Sequence, residues 1–254
     1  MARMKAVSPE ERLTLVEHLD ELRTRIIVSL AVFGVALALC FWQNHLLLKI
    51  ANGPLPAGTD PITLSPTEPF LTTFTICAYG AIILSLPIIL YQAYAYVLPA
   101  FSHTERRVIL PLLLMVPVLF LAGVAFGYFV VLPAAVKFLL GFNDTQFNTQ
   151  LRAKDYYSFF STTLLACGIV FQVPVGILAV TRLGIVTVDQ LKKNRRYAYL
   201  VCAVIAAALP GVDPVTMLIE MAPLVVLYEV SILLARAFGT PAGGGLTEPT
   251  TQEH

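Results

Sequence analysis

Residues 108–136 read VILPLLLMVPVLFLAGVAFGYFVVLPAAV, a run that contains no Asp, Glu, Lys or Arg. About 20 apolar residues in a helix cross the hydrocarbon core of a bilayer, so this run is long enough for one crossing. Four other runs lack charged residues, and a sixth is apolar apart from two glutamates. These further runs are residues 26–48, 69–104, 156–181, 197–212 and 215–235. The pattern predicts six transmembrane helices.

The overall composition points to the same class of protein. Hydrophobic residues make up 57% of the 254 residues, charged residues make up 13%, and the mean hydropathy is +0.76. A soluble domain carries about 25% charged residues, and a core of this size could not bury so much apolar surface. The net charge of +1 argues against nucleic acid as a partner. We therefore expect an all-α polytopic membrane protein in contact with the lipid bilayer.

The positions of lysine and arginine predict the orientation, because these residues are enriched in cytoplasmic segments. Four segments hold 13 of the 17 basic residues: residues 1–25, 98–107, 182–196 and 236–254. This distribution places both termini on the cytoplasmic side.

The chain is predicted to form one six-helix transmembrane domain over residues 1–236. Residues 9–25 form an amphipathic helix that leads into the first crossing, since leucines recur there at helical spacing. Residues 237–254 are rich in Gly, Pro, Thr and Glu, which predicts a disordered cytoplasmic tail.

The last two helices are expected to be short and to form a tight hairpin. Residues 197–209 supply thirteen residues before Pro210-Gly211, and at about 1.5 Å per residue they cover roughly 20 Å. A helix of this length predicts a thinned membrane on that side of the protein. On the outer side, residues 52–56 and 141–155 are rich in turn formers and are expected to build a structured cap.

No arrangement of side chains in the sequence indicates catalysis. The four histidines stand at unrelated positions, and a phosphate-binding loop is missing. The four cysteines, Cys40, Cys77, Cys167 and Cys202, lie in apolar stretches without zinc-ligand spacing. We therefore expect no enzyme activity, no catalytic residue, no metal and no cofactor. A small-molecule or ion secondary transporter remains the alternative function at this point.

Three polar residues fall inside the apolar runs. Gln172 lies near the middle of residues 156–181 and requires a hydrogen-bond partner there. Glu220 and Glu229 are nine residues apart and so lie on opposite faces of one helix. Glu220 is expected near the outer end, either solvated or functional. Glu229 is expected deeper in the membrane, where an acid is functional or is hydrogen-bonded to a neighbouring helix.

Seven short motifs follow one another along residues 12–236. They are HLDELRTR at 18–25, SPTEPF at 65–70, LPIILYQ at 86–92, HTERR at 103–107, FGYF at 126–129, FQVP at 171–174 and LYE at 227–229. This ordered series resembles the family of TatC, a subunit of the twin-arginine translocase. The resemblance implies a glove-like helical bundle in the cytoplasmic (inner) membrane that acts as a receptor for folded export substrates.

The same resemblance implies the partners. TatC-like proteins bind signal peptides that contain two adjacent arginines, and they assemble with TatA- and TatB-like single-span proteins. They also self-associate in the complex and use the proton-motive force without a nucleotide. This mode of energy coupling agrees with the missing phosphate-binding loop.

The resemblance also assigns the candidate binding residues. Glu105 is the first expected acceptor for a signal arginine, with a capping box to Ser102 as the alternative. Glu21 is the second, with an i,i+4 pair to Arg25 as the alternative. Arg23 is expected to orient a carboxylate, and Tyr96 is expected to pack against a signal side chain.

Gln172 and Glu229 are the predicted partner-binding or intramembrane polar residues. The family often has Glu at the position of Gln172, so the amide retains a hydrogen-bonding role without a titrating proton. It is either a docking point for a partner helix or bonded to a neighbouring helix of the same chain.

Overall fold

The computed structural model describes residues 9–97, 103–142, 146, 150–182, 184–211 and 213–238, and only the backbone of 9–17, 97, 103–113 and 237–238. The elements in chain order are α1 (Pro9–Trp42), α2 (Asn44–Ala51), α3 (Glu68–Val97), α4 (His103–Phe126), a π-helical turn (Gly127–Val131), α5 (Leu132–Gly141), α6 (Ala153–Val170), α7 (Val173–Arg182), α8 (Val188–Lys193), α9 (Arg195–Ala208) and α10 (Pro214–Phe238). Within these residues the regular structure is entirely helical, which confirms the predicted all-α class. Most of the predicted tail, residues 239–254, lies outside this description.

Within the described residues, five segments are long and apolar enough to cross a membrane. They are His18–Trp42, Glu68–Tyr96, Leu114–Gly141, Ala153–Arg182 and Pro214–Arg236. The chain is therefore a multi-pass membrane protein, as predicted. The predicted amphipathic helix and the first crossing form one continuous helix, α1. Helix α9 has 14 residues, and at about 1.5 Å per residue its length is roughly 21 Å, short of the hydrocarbon thickness. Helix α10 has 25 residues, roughly 38 Å at the same rise, so the expectation of a short helix is wrong for α10.

Two of these segments are interrupted. Between α4 and α5 the helix widens into the π-helical turn. Between α6 and α7 the helix breaks at Phe171 and Gln172, just before Pro174. Proline has no N–H to donate and fits the first turn of a new helix, so α7 starts at this point. The run at residues 156–181 is consequently two helices instead of the single one expected.

The buried side chains form two clusters. The larger joins α1, α2, α3, α5 and α6, and the smaller joins α9 and α10 through Cys202, Ala206 and Leu224. The α9–α10 hairpin therefore has apolar packing of its own. All four cysteines are buried and free, in agreement with the packing role expected for them.

Helices α4 and α6 approach each other closely at two glycines. A methyl group placed on Gly123 would lie 2.6 Å from the carbonyl oxygen of Cys167. A methyl group on Gly168 would lie 2.5 Å from the ring of Phe120, which is fully buried. Small residues permit such backbone contact between membrane helices, where packing replaces the hydrophobic effect as the driving force.

Glu68 connects the segment that precedes α3 to the segment that precedes α6. As the first residue of α3 it accepts a hydrogen bond from the Leu64 N–H at 3.0 Å. Its Oε1 accepts from Arg152 Nε at 3.0 Å and from the Lys154 N–H at 3.3 Å. This hydrogen bond from Arg152 to the Glu68 carboxylate raises the pKa of Arg152 above its usual value.

Backbone pairing and tyrosine hydroxyls join residues 51–62 to residues 151–157 at the same end of the bundle. Ile62 exchanges backbone hydrogen bonds of 2.8 Å with Leu151 and Ala153. Tyr156 donates to the carbonyl of Ala51 at 2.5 Å, and Tyr157 donates to Asn52 Oδ1 at 2.8 Å. These contacts tie the end of α2 and the following loop to the start of α6.

We predict that Gly123→Ala destabilises the protein, because the new methyl group clashes with the α6 backbone, which cannot rotate aside as a side chain can. Overpacking of this kind costs about 1–3 kcal/mol. Gly176→Ala is the matched control, since nothing lies within 4 Å of the added methyl and alanine favours a helix by up to about 1 kcal/mol. Thermal unfolding in detergent measures both variants. Equal unfolding temperatures for the two would contradict the close contact.

We also predict that Glu68→Gln loosens the outer loops. The amide retains the size of the side chain but loses the ion pair with Arg152. Limited proteolysis of the purified protein should then cut the segment between α2 and α3 faster. Asp60→Asn is the control, because it neutralises an exposed acid in the same segment. If both variants are cut at the same rate as the unaltered protein, Glu68 does not hold the loops.

Candidate functional site

A charged cluster lies on α1, within the motif at residues 18–25. Arg25 donates from Nε and Nη2 to Glu21 Oε1, at 3.0 and 2.6 Å. The second carboxylate oxygen, Oε2, lies 3.7 Å from His18 Nδ1. The Glu21 side chain is 35% exposed. One oxygen of this partly exposed carboxylate therefore accepts from Arg25, while the other has only His18 nearby.

Arg25 also joins α1 to α3. Its Nη1 donates to Gln92 Oε1 at 2.8 Å, and its Nη2 lies 3.4 Å from the carbonyl oxygen of Ala95. The ring of His18 stacks on that of Tyr96, with centroids 4.2 Å apart. Hydrogen bonds from Arg25 and an aromatic stack thus hold the two helices together at this end.

An open apolar groove of about 540 Å³ adjoins this cluster. Its walls are formed by α1 and α3, with Leu22, Ile26 and Phe33 on one side and Ile89 on the other. Arg25, Gln92 and Tyr96 also line it. The arrangement offers a carboxylate for a cation next to a surface for an apolar segment.

The predicted signal-binding residues are only partly brought together. Glu21 and Tyr96 lie near one another, because His18 contacts both. Arg23 is exposed, and Arg25 instead fills the predicted role of orienting the Glu21 carboxylate. Glu105 belongs to the first turn of α4, and its side chain lies outside the described structure, as does Ser102.

Glu229 is held by the neighbouring helix α9. Its Oε2 accepts from Arg195 Nη2 at 2.8 Å, and its Oε1 accepts from the Tyr199 hydroxyl at 2.6 Å. The ring of Tyr199 meets that of Tyr228 edge to face, and the Tyr228 hydroxyl donates to the carbonyl of Leu191 at 2.8 Å. Of the two possibilities for Glu229, the hydrogen bond to a neighbouring helix is the one observed.

The burial of the two glutamates of α10 is the reverse of the expectation. Glu220 is 2% exposed and Glu229 is 33% exposed at the side chain. Of the two alternatives for Glu220, the solvated one is therefore wrong. Its position on α10 is four residues before the buried Leu224, on the inward face of the helix.

Gln172 has one of its two polar atoms paired. Nε2 donates to the carbonyl of Val116 on α4 at 3.2 Å. Oε1 is buried and receives no hydrogen bond from the residues that the structure describes. The NH₂ group of this amide thus makes the internal hydrogen bond that was considered, whereas its oxygen does not.

His18 and Gln92 are the residues of the cluster to which the sequence had assigned no role, and Arg25 had been considered only as an i,i+4 partner of Glu21. His18 and Arg25 belong to the same motif as Glu21, at spacings of three and four residues that face one another on a helix. The contact from Arg25 to Gln92 joins residues 67 positions apart, and helical periodicity contains no signal for it.

Among the described side chains, no three His, Cys, Asp or Glu residues are placed to hold a metal ion. The chemistry available at this end of the bundle is recognition, by a carboxylate, hydrogen-bonding side chains and an apolar surface.

Comparison with known proteins identifies the family. Residues 17–223 match the model of the Sec-independent protein translocase protein TatC. The TatC protein of Desulforapulum autotrophicum is 36% identical over 234 residues, which cover 91% of this chain and 87% of the relative. The TatC protein of Aquifex aeolicus is 36% identical, with 87% of this chain and 94% of the relative covered.

Solved structures agree with these matches. A crystal structure of the twin-arginine translocase receptor TatC has a TM-score of 0.74 and 35% identity, and the match covers 87% of this chain and 99% of that one. A second crystal structure of this receptor, in DDM, has a TM-score of 0.75 and 36% identity, with 85% and 98% covered. The chain belongs to the TatC family of Sec-independent protein translocases.

Proposed function

We propose that the chain is the receptor subunit of a twin-arginine protein export system and binds the signal peptide of folded substrates at its cytoplasmic face. The observation that carries this proposal is the half-exposed Glu21 carboxylate next to the apolar groove between α1 and α3. A signal with adjacent arginines and an apolar stretch requires both features at neighbouring places.

Glu21 and Glu105 are the proposed acceptors of the two arginines. A guanidinium is planar and bonds best to a carboxylate that other groups already orient. Arg25 orients Glu21 through Oε1, so Oε2 is the oxygen proposed to accept from the signal. Glu105, in the first turn of α4, is proposed as the other acceptor.

Two further residues are proposed to shape this receptor surface. The Tyr96 ring, stacked on His18 at the edge of the groove, is proposed to pack against a signal side chain. Arg23 is exposed beside the cluster and is proposed to set its local charge.

The proposed architecture is one domain over residues 1–236 with six crossings, of which α9 is the short one. Both termini are proposed to lie on the cytoplasmic side. The positive residues of the chain support this orientation. A helix of 14 residues supports a thinned membrane beside a concave, glove-like bundle.

The proposed setting is the cytoplasmic membrane, with TatA- and TatB-like single-span proteins as partners. The working complex is proposed to contain several copies of this chain and to draw on the proton-motive force. The structural similarity to a crystallised twin-arginine translocase receptor supports these proposals.

We predict that Glu21→Gln and Glu105→Gln each weaken signal-peptide crosslinking about tenfold, since a hydrogen bond to a charged group contributes about 1.5–3 kcal/mol. Glutamine retains the size of the side chain and much of the helix-capping geometry. Asp20→Asn is the matched control, because it removes an exposed negative charge one position from Glu21. Unchanged crosslinking in Glu105→Gln would favour the capping role.

Export by cells that lack their own TatC-like protein tests the function as a whole. Supplied with the partners of its own species, the chain should restore export of a folded twin-arginine substrate. A failure of export, together with uptake of a small solute, would instead favour the secondary transporter.

Gln172 and Glu229 are proposed to serve assembly. Glu229 fixes the α9–α10 hairpin through Arg195 and Tyr199, which sets the surface that the hairpin offers to a partner. Gln172 is proposed as a docking point for a donor on an incoming helix. Its Oε1 is buried, so docking requires the amide to rotate outward and to release Val116.

We predict that Gln172→Leu leaves signal-peptide binding unchanged and impairs partner assembly and export. Gln172→Glu is the matched variant, because it retains acceptor oxygens and loses the donor to Val116. Copurification with a TatA-like partner should fall in Gln172→Leu and persist in Gln172→Glu. Full export by the leucine variant would contradict docking at this residue.

A further inference from the structure

Glu220 stands out among the acidic residues of the bundle. It lies on the face of α10 that also carries Thr216, Leu224 and Ile232, each at most 1% exposed. Glu220 itself is 2% exposed. Neither carboxylate oxygen receives a hydrogen bond from the part of the chain that the structure describes. Glu21, Glu68 and Glu229, in contrast, are each paired with an arginine.

The ionisable groups that act on Glu220 are acidic. Asp213 lies seven residues earlier, and both of its oxygens are engaged by Thr216, at 2.7 Å from the backbone N–H and 2.6 Å from the hydroxyl. The buried thiol of Cys167 on α6 interacts electrostatically with Glu220. Neither group offers a positive charge to a carboxylate at Glu220.

The cations of the helices packed against α10 are placed elsewhere. On α9, Arg195 binds Glu229. On α5, Lys137 is exposed, and on α8, Lys192 pairs with Asp189. Arg182 ends α7, and Arg236 lies about four turns beyond Glu220 on α10. The ion pairs of the described residues therefore do not include Glu220.

We propose that Glu220 is a proton-binding site inside the membrane, neutral in the resting fold. An ionised carboxylate without a partner in an apolar interior is far more costly than a neutral acid, so the bound proton takes the place of the missing cation. The proton is the ligand of this site, and its release leaves Glu220 and Asp213 as two negative groups about two turns apart at the N-terminal end of α10. That repulsion would loosen this end of α10. The site is distinct from the signal-binding cluster and does not rest on its proposed function.

Infrared spectroscopy of the purified protein in lipid nanodiscs tests the proton directly. A protonated carboxyl has a C=O stretch separate from the bands of a carboxylate. At neutral pH the protonated-carboxyl band should be present in the unaltered protein and should vanish in Glu220→Gln. It should persist in Glu229→Gln, because Glu229 is paired with Arg195. Glu220→Asp, which keeps an acid, should retain a shifted band. A spectrum without the band, or a band that Glu220→Gln leaves intact, would overturn the proposal and indicate an ionised carboxylate solvated inside the protein.

Thiol labelling tests the consequence of proton release. Cys167 is 3% exposed on α6, within electrostatic reach of Glu220. At alkaline pH, maleimide should label it several-fold faster in the unaltered protein than in Glu220→Gln, and at mildly acidic pH the two rates should agree. Cys40, which is equally buried in the larger apolar cluster, serves as the internal control and should show no difference. Equal Cys167 rates at both pH values would contradict the loosening of α10.

Discussion

The hydrocarbon interior supplies no water, so each polar group of this chain has to find its partner in the protein. Three arginines meet this constraint with contacts between distant segments: Arg25 to Gln92, Arg152 to Glu68 and Arg195 to Glu229. Each contact is made by a partly exposed arginine, and each joins different elements of the bundle. Close packing around Gly123 and Gly168 joins α4 and α6 without polar groups. The fold thus depends on hydrogen bonds from arginines between some elements and on small side chains between others.

The same constraint makes the buried polar atoms that lack partners energetically costly. Gln172 stands where the helix breaks between α6 and α7, with its acceptor oxygen unpaired. Glu220 is a buried acid for which a proton is the simplest partner. Both lie away from the cluster around Glu21, in the half of the bundle that contains the α9–α10 hairpin. The proposed recognition of the signal and the proposed intramembrane chemistry therefore occupy separate places in the molecule.

Much of the architecture could be predicted from charge-free runs, because the length of an apolar run follows directly from the sequence. Contacts within one helix were also accessible: the i,i+4 pair of Glu21 and Arg25 was one of the two possibilities stated for Glu21. The contact of Arg25 with α3 was not foreseen, because helical periodicity does not tell which neighbouring helix a side chain meets. The break at Phe171 and the π-helical turn at Gly127–Val131 were not foreseen, because local sequence does not determine where packing interrupts a helix.

The sequence by itself determined the all-helical membrane class, the short α9 and the family, since these follow from composition, run length and ordered motifs. It also determined that Glu220 and Glu229 lie on opposite faces of α10, which is a consequence of helical periodicity. Only the tertiary structure decided which face turns inward, and it buried Glu220 while pairing Glu229 with Arg195. The physical reason is that periodicity specifies the angle between two side chains on one helix, whereas burial depends on how neighbouring helices pack around it.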